Sequence, residues 1–230
     1  MANDCHKKAN RPWLALFLGG LLMTAMGCAA IQGPVQKTPI LSRYNWVALL
    51  PFANAAALFG EDQQVRNPLT SKVFTTGVVP AEATGVLTRI LSDKLATKST
   101  SHIIPPEESV GERAALISEA MVASERRLVA ALGRRLGADA VLMGTLYRFR
   151  ERVGLKYSAD TPAAVTFDLL LLDSASGRVV WSQSFDEEQL PLSENLLKIG
   201  TFIKDRGRWL TAAQLSARAL DEMTTALTQP

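Results

Sequence analysis

Cysteine and histidine are nearly missing from this chain of 230 residues, with two of each. Both cysteines, Cys5 and Cys28, lie in the first 28 residues, so no disulfide can staple the rest. The fold must stand on its hydrophobic core, as a domain of this size can. A zinc site or a Ser-His-Asp triad needs histidine in company at set spacings, and beyond residue 28 only His102 remains. No G-x-S-x-G, H-E-x-x-H, P-loop or G-x-G-x-x-G occurs. Low-complexity tracts and internal repeats are also absent. With 47% hydrophobic residues the chain reads as an ordinary globular protein. The formal charge of +3 is mostly carried by the first 27 residues, where Lys7, Lys8 and Arg11 face only Asp4. The remainder is nearly balanced, which gives no electrostatic reason to expect nucleic acid as a partner. No metal and no cofactor is expected.

The first 27 residues have the plan of an export signal. A basic segment precedes an uncharged run from Trp13 to Met26, and small residues follow at Ala25, Gly27, Ala29 and Ala30. "TAMGCAA" then resembles the cleavage region of a bacterial lipoprotein precursor. The resemblance implies cleavage after Gly27 and lipid attachment to Cys28. Ala25 and Met26 stand where that family prefers leucine and a small residue. Ordinary secretion, and an uncleaved anchor running on to Ile31, are the alternatives. Each of the three puts residues 40–230 outside the cytoplasm. Ala29 is not the aspartate that resembles an inner-membrane retention signal, which makes the expected address the outer membrane, facing the periplasm. The tether of residues 28–43 spans at most about 50 Å, so the domain, 44–230, sits near its membrane.

Along that domain "YNWVALLPF" reads as a buried strand closed by Pro51. Residues 53–79 read as a long loop, a length that implies a task or a short helix of its own. From Pro80 the spacing of Val86, Leu87, Ile90, Leu91 and Leu95 predicts a helix. "SHIIPP" predicts a short strand, and helices follow over 111–123 and 125–136, the second stopped by Gly137. Three strands come next, 140–152, 163–173 and 178–188, the last two joined by the hairpin link "SASG". Helical patterns over 193–204 and from the Thr211/Gln214 capping box to Leu227 complete the chain. This order predicts an α/β (α+β) domain: a mixed sheet with a C-terminal antiparallel meander, flanked by helices.

Three stretches, "VALLPFAN", "LGRRLGADAVLMGTL" and "FDLLLLDSASGRVVWSQSF", resemble the periplasmic α/β domain shared by the curli-secretion lipoprotein CsgG, the penicillin-binding-protein activator LpoB and the amino-terminal domain of TolB. The similarity covers 44–188, with 189–230 as a C-terminal helical extension. It implies a fold and a periplasmic interaction role without a substrate. The paired strands of about 9 to 11 residues that a pore wall requires are not apparent in 53–79 or 190–209, the tether is short for reaching an inner-membrane synthase, and no propeller follows.

Candidate site residues are few. His102 reads as an ordinary edge residue, and the carboxylates Glu61 and Asp62, Glu107 and Glu108, and Asp186, Glu187 and Glu188 read as solvated charge, so no catalytic residue is assigned. Arg148, Arg150 and Arg152 alternate along one strand and would share one face, opposite Tyr147 and Phe149. Such a stripe suits an anionic lipid or glycan or an acidic partner, with a solvated face as the plain alternative. Arg126, Arg127 and Arg134 likewise lie off the apolar stripe of their helix. Residues 191–210, with Phe202 and Trp209, mix apolar and basic side chains as a docking segment would, or pack on their own domain. The expectation is a non-enzymatic lipoprotein that binds another envelope protein, regulating a wall synthase or assisting assembly or export. A homo-oligomeric, CsgG-like secretion subunit and a peptidoglycan-active enzyme are the alternatives.

Overall fold

The computed structural model describes residues 39–119, 124–155, 158–189 and 210–229, all in the second of two compact units, Lys37–Pro230. After a 3-10 turn at Leu41–Arg43 come β1 (Trp46–Leu49), β2 (Ala53–Asn54), α1 (Ala55–Phe59), β3 (Gln64–Arg66), β4 (Val73–Thr75), α2 (Ala83–Lys98), β5 (His102–Ile104), α3 (Pro106–Glu119) and α4 (Glu125–Leu136). The long strand β6 (Ala140–Arg150) follows, then β7 (Val153–Leu155), β8 (Ser158–Thr161), β9 (Ala164–Asp173), β10 (Val179–Glu188) and α5 (Ala212–Thr228).

The main sheet has the order β10-β9-β6-β1-β5, with β2 added beside β6. β1 runs parallel to β5 and β6, whereas β6, β9 and β10 form the antiparallel meander. The sheet is therefore mixed, as the element order predicts. One face packs Val47, Leu49, Leu142, Phe167 and Leu169 against Leu87, Leu91 and Leu95 of α2 and Leu215, Leu220 and Met223 of α5. The other packs Ala48, Leu50, Val141, Met143 and Leu170 against Val129 and Leu132 of α4. β9 is covered on both sides, and its run "FDLLLL" is the near-continuous apolar pattern that double coverage demands.

Two helix ends follow their sequence signals. Gly137 is left-handed at φ 66° after α4, and the Thr211/Gln214 capping box opens α5. α3 starts at Pro106, earlier than the expected 111, because proline suits a first helical position and Glu107 and Glu108 suit the positive end of the helix. The strand expected over 140–152 stops at Arg150, and a small hairpin, β7 and β8, follows it. The expected loop over 53–79 is largely structured as β2, α1 and the hairpin of β3 and β4. Those hairpin strands are three residues each, too short to show a period. The helix expected over 193–204 lies outside the described residues.

β6 also corrects the expected alternation. Its register with β9 shifts between Leu146 and Arg148, so Tyr147 is an extra residue. Leu146 and Phe149 consequently both face the α2/α5 core. Tyr147 instead joins Ala55, Val65 and Phe74 under the β3–β4 hairpin. Arg148 and Arg150 thus lie opposite Phe149 but not opposite Tyr147.

Candidate interaction surface

The arginine stripe is met from within the chain. Arg148 reaches Asp186 at 3.0 Å, Glu188 at 3.4 Å and the Thr166 hydroxyl at 3.2 Å. Arg150 pairs with the same Glu188 and donates to the Pro162 carbonyl. The carboxylates come from the partner positions on β10, two strands away across β9. Arg152 is half-buried just past the end of β6. Much of the charge expected to meet a partner is therefore matched inside the domain. Glu187, from the carboxylate run, binds Arg218 of α5 at 2.9 Å. Cys28, Gly27, Phe202 and Trp209 lie outside the described residues.

A buried polar cluster holds the β3–β4 hairpin to the sheet. The Asn67 side-chain amide donates to Asp168 Oδ2 at 2.8 Å and to the Tyr147 hydroxyl at 3.3 Å, and Tyr147 donates to the same carboxylate oxygen at 3.2 Å. The Asn67 side-chain oxygen accepts from the backbone amides of Leu69 and Thr70. Phe74 stacks on Tyr147 with ring centroids 4.2 Å apart. Asp168 is only 2% exposed, and its Oδ1 has no well-formed hydrogen bond, although Thr145 lies beside it. Burial raises its proton affinity above the ordinary carboxylate range, against the opposing pull of Tyr147, Asn67 and Thr145. Burial, then the neighbouring Asp168, raise the Tyr147 hydroxyl in turn.

Above this cluster, at the carboxyl end of β1, three adjoining cavities follow one another. In an open sheet this is where connections leave to opposite sides and a crevice forms. The first, of about 430 Å³, lies between the opening turns of α2 and α3 beside Pro51. The second, of about 300 Å³, shares Pro51 and Val110 with it and has Phe52, Met143 and Gly144 in its wall. Gly144 makes room here, because a Cβ on it would sit 2.4 Å from the Phe52 ring. The third, of about 200 Å³, shares Ala53, Arg113 and Met143 with the second and reaches down to Asn67 and Tyr147. Arg113 pairs with Glu125 at 3.3 Å.

The rim of this crevice is apolar and open to solvent: Leu58 is 75% exposed, Phe59 57%, Ile117 55% and Val110 49%. Isolated exposed apolar residues are ordinary. Four large ones around adjoining cavities are not, and such surfaces mark contact sites. Leu58 and Phe59 belong to α1, inside the 53–79 segment whose length signalled a task. Among the described residues no three of His, Cys, Asp and Glu converge as metal ligands would, and no helix is long and apolar enough to cross a membrane.

No family model matches the chain, and no curated protein matches it by sequence. Solved structures do resemble it. The PelC dodecamer from Paraburkholderia phytofirmans is 15% identical over 85% of this chain and 96% of that one, with a TM-score of 0.47. The LpoB C-terminal domain from Escherichia coli is 17% identical over 64% and 84%, with a TM-score of 0.37. The lipoprotein GNA1162 from Neisseria meningitidis is 15% identical over 70% and 97%, with a TM-score of 0.38. Likenesses at this level assign no function to the present chain.

Proposed function

We propose that this protein is a lipid-anchored, periplasm-facing component of the outer membrane that works without catalysis, by binding another envelope protein at the crevice beyond the carboxyl end of β1. The observation that carries the binding reading is the exposed rim of Leu58, Phe59, Val110 and Ile117 around adjoining cavities. The envelope address is supported by the leader pattern of residues 1–27 followed by Cys28. The internally paired Arg148 and Arg150 count against the arginine stripe as the primary contact.

A photo-crosslinking amino acid at position 58 or 59 of the full-length protein, activated in living cells, tests the partner. Capture of one envelope protein from these positions, and not from exposed Val180 on β10, is the expected result. A ladder containing only multiples of this chain would replace the partner reading with an oligomeric one. Release of muropeptides from peptidoglycan by the purified protein would overturn the non-catalytic reading. Labelling with radioactive palmitate, present in the wild type and lost in Cys28→Ala, tests the anchor.

A further inference from the structure

The end of the domain opposite the crevice is basic and aromatic. Here β1, β5 and β6 begin and β9 ends, because Val47 pairs with Ala140, and Ala140 with Asp173. The described chain also enters the fold at this end. Asp139 accepts from the Asn45 and Trp46 amides at 2.9 and 3.0 Å, and its carbonyl accepts from Ser174 at the start of the β9–β10 turn. Trp46 is 48% exposed and stacks on exposed His102, with ring centroids 4.7 Å apart.

Three exposed arginines surround this end: Arg43 before β1, Arg134 in the last turn of α4, and Arg178 after the β9–β10 turn. The turn packs on α4, since a Cβ on Gly177 would approach the Arg126 carbonyl to 3.0 Å. Among the described residues none of the three forms an ion pair. The local carboxylates, Asp139 and Asp173, are engaged otherwise, Asp139 by the two β1 amides and Asp173 by the amide and hydroxyl of Ser176. The contrast with Arg148 and Arg150, whose charge is matched internally, separates the two arginine groups.

We infer that this end, through Arg43, Trp46, Arg134 and Arg178, rests on the anionic phospholipid surface of the membrane that anchors the chain. Guanidinium groups bind lipid phosphates as forked donors, and juxtamembrane basic residues are held within a Debye length of an anionic leaflet. An exposed tryptophan among them suits the headgroup layer, where an apolar ring with a polar N–H is favoured. The inference rests on the proposed membrane anchorage and adds an orientation to it: this end faces the bilayer and the crevice faces away.

The test uses full-length protein reconstituted through its N-terminus into vesicles whose acyl chains carry bromine, a quencher of tryptophan emission at the membrane surface. Subtracting the spectrum of Trp46→Phe isolates Trp46. We expect its emission to be quenched in phosphatidylglycerol vesicles, and to recover in high salt or in phosphatidylcholine alone. Each of Arg43→Gln, Arg134→Gln and Arg178→Gln should lower the docked-to-free ratio about fivefold. Because these side chains are exposed, the variants should keep the wild-type circular dichroism spectrum, and the salt titration of the wild type gives the same reading if one does not. Unquenched Trp46 in phosphatidylglycerol vesicles overturns the inference. So does a change of oligomeric size in the arginine variants, which would assign the surface to contact between copies. Loss of palmitate labelling is a separate result: it removes the lipid anchor without touching this surface.

Discussion

At the scale of single residues, Gly144 and Asp168 carry the sharpest expectations. A methyl group on Gly144 would enter the Phe52 ring, itself buried between α2 and the sheet. Gly144→Ala should cost about 1–3 kcal/mol, the usual range for overpacking a filled core, read as a lower urea midpoint at unchanged slope. Asp168 binds its proton more tightly when folded than when unfolded. Its favourable contribution is therefore complete below the unfolded carboxylate pKa and is lost as the pH rises through the raised folded value. Asp168→Asn keeps an oxygen for Asn67 and Tyr147 and cannot ionise. It should flatten the pH dependence of stability above the ordinary carboxylate range, and an unchanged urea midpoint profile between acid and neutral pH would contradict this. The sequence shows Asp168 only as an interruption in "FDLLLL". Its partner Asn67 is 101 residues away in the chain, so no local pattern could pair them.

Among the elements, the β3–β4 hairpin is the one the sequence concealed. Long elements with one covered face announce themselves. Leu128, Val129, Leu132 and Leu136 draw α4 with its end at Gly137, and Thr211 with Gln214 opens α5 where the capping box places it. The hairpin's strands hold one buried residue each, Val65 and Phe74, and its stability comes from contacts with Tyr147 and Asp168 of distant strands. The bulge at Tyr147 escaped for the same reason, since it is defined by register against β9 and "LYRFR" alone reads as plain alternation. Asn67 is the hub of the hairpin's attachment. Asn67→Ala removes the amide donor to Asp168 and the acceptor for two backbone amides, and should cost about 1–3 kcal/mol. The loss should be local: hydrogen exchange should speed up over 60–79 while α2 and α5 keep their protection. Uniform acceleration across all three would show the hairpin to be integral to the whole fold.

For the molecule as a whole, the crevice rim can be changed without touching the core, because Leu58 and Phe59 lie on an exposed face of α1. Leu58→Asp with Phe59→Asp should leave the melting temperature within a few degrees, as surface changes usually do, and should abolish crosslinked capture in cells. Retained capture would move the contact elsewhere on the domain. The general class of fold was readable from the order of elements. The crevice was not, because Phe59 belongs to α1 and Val110 and Ile117 to α3, two stretches far apart in the chain that meet only where β1 ends. β1 also sets a length. From Trp46 to Leu49 the strand advances about 10 Å, and the chain runs on through Pro51 and Phe52 from the basic end to the crevice. In the proposed orientation the domain would act as a spacer: a partner seated on the rim would be held away from the lipid, and a partner whose own binding surface lies flush with that bilayer would be out of reach.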